Sequence, residues 1–318
     1  MLSLTGWGLF GLLAIIVLIL RAIASHKNNG AKLAIGIFFL TAVDAFADLR
    51  VAIPLSVAQG NYFRVDIGKE GSPARAGEFL VRFCLVKCKE FKSFPAALNG
   101  WHTVLVPVAV DEQPQKANLK VFGDFEVWIG SIEIKKSDFP VARCVTIVKQ
   151  PTAAAKQRRA RELKILESIY ANEILERYFD DDLKFAYPLA ALEATSFFGE
   201  IRRKKLLGTR IKWSAYHNGV DFRAPEGTKI FAAESGVVRV AQNWLGSGNT
   251  VIMDHGHGLL SFYFHLSKIK VKEGQSVQRG GAIGLAGHSG NAQGSHLHFE
   301  IRLHQIPVNP HEFLGGTK

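Results

Sequence analysis

Beyond Tyr187 and Pro188 the chain breaks short apolar runs with glycine again and again, and that punctuation constrains its fold more than any other feature. TKIFAAE, GVVRVAQ, NTVIMDH and LLSFYFHL follow one another with Gly turns between them, which predicts an antiparallel β fold built of short hairpins. Nine of the chain's 11 histidines lie in this part, His217, His255, His257, His265, His296 and His298 among them. So many imidazoles in one small domain are a reason to look for a metal.

In the run QGSHLHFEIR, period two places His296, His298 and Glu300 on one face of a strand and Leu297, Phe299 and Ile301 on the other. By itself this describes a half-buried edge strand with its polar face toward water. A second cluster, HNGVD, changes the weighing. A fully extended strand would hold His217 and Asp221 about 13 Å apart, too far to share one ion bonded at roughly 2 Å. A turn or bulge at Asn218-Gly219 would fold the two side chains together. Joined to the His-Leu-His run, they would offer two nitrogens and one oxygen to zinc and leave one coordination position open, as catalytic sites do.

The stretch from about Phe198 to Leu314 resembles the lysostaphin-type (LytM-like) zinc endopeptidases, which cut the peptide part of bacterial peptidoglycan. The matching pieces are HNGVDFRAPEGT, GNTVIMDHGHG, YFHLS, VKEGQSVQRGGAIG, GHSGNAQGSHLHFEI and the closing VNP. The resemblance implies one zinc ion held by His217, Asp221 and His298, with His265 and His296 as the catalytic histidines. It departs at Phe264, where the family commonly has a small residue. TSFFGEIRRK, with Arg202, resembles the family's entry segment. There is no His-Glu-x-x-His helix, so histidine must take the part of the base. A zinc-activated water would attack the scissile carbonyl while His265 and His296 orient it, move its proton or bind the oxyanion. Glu300 could support an imidazole from behind. Asn218, His288 and Asn291 are expected along the substrate groove, His255 and His257 in a hairpin turn, and His304 and His311 exposed.

The rest of the chain surrounds this domain. Residues 1–24 include a charge-free apolar run long enough to span a bilayer, and residues 33–47 hold a second apolar, signal-like run ending in Ala45-Phe46-Ala47. Both point to export or inner-membrane anchoring, with the bulk of the chain in the cell envelope or periplasm. Residues 48–151 alternate short apolar strands with turns and predict an immunoglobulin-like β-sandwich. Residues 152–187 predict a helical linker capped by Thr152 and ended by Asp180 to Asp182, with Leu163, Leu166, Ile169, Tyr170, Ile174 and Leu175 as its apolar stripe. Residues 188–318 form the peptidase domain. The fold class is therefore mainly β: membrane or signal segment, β-sandwich, helical linker, antiparallel β metallopeptidase.

The net charge of +11 suits an anionic wall or membrane surface. KQRRARELK lacks aromatic interleaving, so a nucleic acid partner is not expected. Cys84, Cys88 and Cys144 allow one bridge at most, with Cys144 joined to Cys84 or Cys88 in an oxidising compartment, or free buried thiols. Two rival functions remain. A degenerate member would only bind peptidoglycan or activate another hydrolase. A biotinyl-type carrier domain would need a lysine at the hairpin tip, where LAGHSG has none. Nothing in the sequence fixes an oligomeric state.

Overall fold

The computed structural model describes residues 49–69, 79–85, 87–96, 101–123 and 127–315; the apolar runs expected within 1–24 and 33–47 lie outside the described residues. No helix among the described residues is long and apolar enough to cross a membrane. In chain order the strands are β1 (Leu49–Ala52), β2 (Ser56–Ala58), β3 (Tyr62–Lys69), β4 (Leu80–Cys84), β5 (Cys88–Lys92), β6 (Phe94–Pro95), β7 (His102–Pro107), β8 (Lys116–Phe122), β9 (Val127–Lys135) and β10 (Val141–Val148). Helix α1 (Ala153–Ala171) follows, then β11 (Ala194–Ser196), β12 (Ile201–Leu206), β13 (Lys212–Tyr216), β14 (Val220–Arg223), β15 (Lys229–Phe231), β16 (Gly236–Trp244) and β17 (Gly248–Asp254). The last strands are β18 (Leu259–Leu266), β19 (Lys268–Ile269), β20 (Ser276–Val277), β21 (Ala282–Leu285), β22 (His296–Leu303) and β23 (Ile306–Val308).

The first nine strands make two sheets, β1-β3-β7-β6 and β2-β9-β8-β4-β5. Strand β8 shows why: Ala117, Leu119 and Val121 point inward and are buried, while the residues between them face out. Phe63 of one sheet meets Phe83 of the other edge-on, ring centroids 5.5 Å apart. β10 takes no part in either sheet; it pairs in parallel with β12, which pairs with β13.

The three cysteines correct the sequence expectation. Cys84 and Cys88 are bonded to each other, and Cys144 is free and exposed rather than buried or bridged. The cause is register: Cys84 lies directly opposite Cys88 across the β4–β5 hairpin, whereas Cys144 stands on β10 in a different sheet.

The large sheet of the C-terminal part runs β11-β14-β22-β18-β17-β16-β20, with β23 on β22. On β22, Leu297, Phe299, Ile301 and Leu303 are fully buried in the main core beside Val220, Phe222, Met253 and Tyr263. Each such side chain contributes about 1.5–3 kcal/mol on burial. The opposite face of β22 carries His296, His298, Glu300 and Arg302. Helix α1 covers one end of that face, setting Ile165, Leu166, Ile169 and Tyr170 against Val240, Trp244, Ile252, Leu260 and Phe262.

Thr152 caps the helix, its hydroxyl accepting from the Ala155 amide at 3.1 Å. The helix stops at Asn172, well before the acidic triplet. Beyond it the backbone bonds to the 255–257 turn: the His257 amide donates to the Ile174 carbonyl and the Tyr178 amide to that of His255. Leu163 and Leu175 are exposed: α1 docks through Ile165, Leu166, Ile169 and Tyr170, and Leu175 lies beyond the helix's end. The β1-β3-β7-β6 sheet meets the C-terminal part through aromatic rings: Tyr62 stacks on Phe313 at 4.7 Å and Phe94 on His257 at 4.6 Å. His304 packs against Phe91 at 5.2 Å, so His304 and His311 are half-buried, not exposed.

Candidate metal centre

The chain bends at Asn218-Gly219 between β13 and β14. A Cβ on Gly219 would stand 2.3 Å from the Phe299 carbonyl oxygen and 2.8 Å from Glu300 Cγ, so a residue without a side chain lets the bend press against β22. That contact sets the site. Asp221 pairs in register with His298 across β14 and β22, and His217 Nε2 arrives 3.1 Å from Asp221 Oδ1. His298 Nδ1 lies 2.7 Å from the same oxygen and 3.0 Å from His217 Nε2.

The outer ring nitrogens decide what these inner atoms are. His217 Nδ1 sits 2.9 Å from the Phe197 carbonyl and His298 Nε2 2.9 Å from Glu300 Oε1. A carbonyl and an ionised carboxylate only accept, so both outer nitrogens carry hydrogen and donate. The inner nitrogens of the neutral rings are then lone pairs. Two nitrogen lone pairs and a carboxylate oxygen thus converge on one point, an arrangement that calls for a positive charge between them. Burial lowers the pKa of His217 and opposes a charge on His298, but the Asp221 and Glu300 carboxylates, as hydrogen-bond acceptors, outweigh burial and raise that of His298. A proton there serves one acceptor; a divalent cation serves all three. The donor set fits zinc: borderline nitrogen and oxygen ligands, three from the protein, with a fourth position left over.

Each ligand is also held from behind. Arg202 Nη2 lies 2.6 Å from Asp221 Oδ2 and 2.8 Å from Ser196 Oγ. Ser196 Oγ also donates to Glu200 Oε2 at 2.5 Å and lies 3.1 Å from His217 Nδ1. On the other side Arg302 donates to Glu300 Oε2 at 2.8 and 2.5 Å, and Glu300 faces His298. Burial favours neutral acids at Asp221 and Glu300, yet the imidazoles of His217 and His298 beside Asp221, and Arg302 and His298 beside Glu300, hold both well below the usual carboxylate range. Spacing on one strand pointed to Glu300; the entry segment singled out Arg202 but not its partner Asp221, which it reaches from a different sheet.

His265 stands where simple alternation would not aim it. Phe264 pairs with His298 and its ring stacks on that imidazole at 5.2 Å, so the next residue should face the core. Instead Phe264 and His265 together oppose Thr250, one residue too many, and His265 has φ of 63°. This β-bulge, with a left-handed backbone costing on the order of 1–3 kcal/mol, turns His265 to the metal face. Its ring centroid lies 4.8 Å from that of His296. His265 Nδ1 donates to the Ser289 carbonyl at 2.9 Å and His296 Nδ1 to that of Gly294 at 2.8 Å, leaving both Nε2 atoms as acceptors. His296 Nε2 is 3.8 Å from Asp221 Oδ1. Burial pushes His265 down to about 4, so it is neutral near pH 7.

The groove candidates divide. Asn218 is exposed beside His217. Asn291 is exposed, and its amide bonds to the Gly246 carbonyl, tying together the loops whose Ser247 and Ser289 carbonyls hold His265. His288 pairs with Glu226 at 3.1 Å on the surface and makes no contact with the donor set.

Residues 215–310 match the model of peptidase family M23. Over 95 residues the chain is 46% identical to the peptidoglycan DD-endopeptidase ShyA of Vibrio cholerae, covering 30% of this chain and 22% of that protein. Over 139 residues it is 35% identical to ShyB of the same organism, covering 44% and 31%. The chain thus spans less than a third of the length of either relative. A crystal structure from Pseudomonas aeruginosa, described provisionally as a peptidase M23, aligns with a TM-score of 0.61 at 26% identity over 83% of this chain and 97% of that one. Residues 215–310, which carry His217, Asp221, His265, His296 and His298, are a peptidase family M23 domain.

Proposed function

We propose that the protein is a zinc-dependent endopeptidase that hydrolyses peptide cross-links of bacterial peptidoglycan. The observation that carries this reading is the convergence of three lone-pair donors, His217 Nε2, Asp221 Oδ1 and His298 Nδ1, beside two further imidazoles. Zinc bound there would supply Lewis acidity to the scissile carbonyl and to an attacking water. The chain's own residues do the rest. Arg202 and Glu300 fix the orientation of Asp221 and His298. His265 and His296, each with Nδ1 tied to a carbonyl and Nε2 free to accept, hold the water's hydrogen and receive its proton, which either can pass to the departing amine. Neither needs a serine or cysteine nucleophile beside it.

The curated relatives named above are DD-endopeptidases, which favours a bond between two D-configured centres, such as D-Ala to diaminopimelate. A wall substrate places the enzyme outside the cytoplasm, and the apolar N-terminal runs would export or anchor it. Asn218 and Asn291 would border the groove. A protein that only binds wall or activates another hydrolase has no use for the complete donor set, so we rank that reading second. The test is mass spectrometry of fragments released from purified sacculi by the full chain and by His217→Ala and His296→Ala. The reading requires cross-linked muropeptides to be split by the unmodified chain alone; equal release by all three would contradict it.

A further inference from the structure

The basic strand β12 reads Ile201-Arg-Arg-Lys-Lys-Leu206, and period two sorts its cations onto two faces. Arg203 and Lys205 turn away from the metal face, and Arg203 spends its guanidinium on the Ala142 and Arg143 carbonyls. Arg202 turns toward it and grips Asp221. Lys204 shares the face of Arg202, about 7 Å further along the strand. It is half-buried, with Trp213 directly opposite on β13. Trp213 remains 39% exposed, offering an apolar wall beside the ammonium group.

Lys204 has company of the wrong sign. Burial lowers its pKa, and the charges of Arg202 and of Arg159 on α1 lower it further. Among the described residues, no ion pair or hydrogen bond satisfies either Lys204 Nζ or the Arg159 guanidinium. Elsewhere around the metal face the cations are matched: Arg202 with Asp221 and Glu200, Arg302 with Glu300, Arg158 with Glu162. A half-buried ammonium facing like charges is an unfavourable arrangement that an incoming anion would relieve. Its distance from Arg202 equals about two residues of extended peptide.

We propose that Lys204, walled by Trp213 and on the same strand face as Arg202, forms a subsite for a free carboxylate of the wall peptide, one or two residues from the scissile bond. This rests on the hydrolase reading and deepens it, because diaminopimelate keeps a carboxylate when its amine is cross-linked. An amidated wall peptide would be the disfavoured substrate.

The test uses a purified cross-linked muropeptide dimer with free carboxylates and the same dimer amidated. Affinity is read by calorimetry on the zinc-loaded full chain carrying His296→Ala, and turnover on the unmodified chain. The free dimer is expected to bind about tenfold tighter than the amidated one. Lys204→Met should erase most of that preference, while Lys212→Met, which removes the same charge from an exposed position on the other face of the β12–β13 pair, should leave it intact. Equal affinity for the two dimers, or equal loss in Lys212→Met, would overturn the subsite. If the unmodified chain cleaves the dimers while affinities are equal, the subsite falls alone. If it cleaves neither, the hydrolase reading falls, and a surviving carboxylate preference would then belong to a wall-binding protein.

Discussion

Two groups of histidines sit on the same small β domain and have opposite chemistry. In the DHGHG turn, His255 is fully buried with both nitrogens engaged: Nδ1 lies 2.7 Å from the Ser235 carbonyl and Nε2 2.8 Å from Ser261 Oγ. Nothing is left over, and the ring is a strut between strands. At the metal face, His217, His265, His296 and His298 each have one nitrogen held by a carbonyl or carboxylate and the other left as a lone pair near further acceptors. The number of histidines does not identify a metal site; the balance of donors and acceptors around each ring does.

The comparison breaks most visibly at the ligands. Asp221→Ala should lower hydrolysis of sacculi to background and abolish zinc binding, read as released muropeptides and bound metal. Removing the carboxylate leaves two nitrogens, too few for a site of this type. His296→Ala should lower kcat by about 10²–10⁴ while zinc stays bound, because this ring acts on protons and not on the metal. Loss of zinc in that variant would place His296 among the ligands instead.

The structural histidine predicts an effect on stability alone. Burial pushes His255 down to about 4 from an ordinary 6.5. Its contribution is complete above the ordinary value and is lost as pH falls toward the folded value, because the unfolded chain binds the proton first. The loss is about 3 kcal/mol across that window. In urea unfolding from pH 7 to 4, His255→Gln should show a shallower decline in stability than the unmodified chain; an unchanged slope would show that this ring does not carry the pH dependence. The smallest of the four effects belongs to Glu300→Gln. The amide can still accept from His298 but no longer supplies charge, so zinc affinity should fall about 10–100-fold, measured by chelator competition. No change would make Glu300 a structural carboxylate only.

Much of the ligand geometry was legible in the sequence because it is local. Period two aligned His296, His298 and Glu300, and Gly219 announced the bend that brings His217 to Asp221. The reason for that glycine was not local, since the space it needs is set by the Phe299 carbonyl on another strand. His265 illustrates the same limit: its aim depends on a bulge opposite Thr250, which strand alternation alone does not specify. The cysteine pairing followed hairpin register that spacing did not reveal. The helix ended early because the 255–257 turn competes for the backbone bonds of residues 174–178, an alternative invisible to propensity. Strand texture predicted the β strands before β10, but β10 itself joined β12 across the helix, a parallel pairing with no local sign.

The account turns on a cation at the point where His217, Asp221 and His298 meet, and zinc titration of the full chain tests it most directly. One zinc should bind per chain, His217→Ala should bind none, and His255→Gln should still bind one. Failure of the unmodified chain to take up zinc, or retention of zinc by His217→Ala, would contradict it.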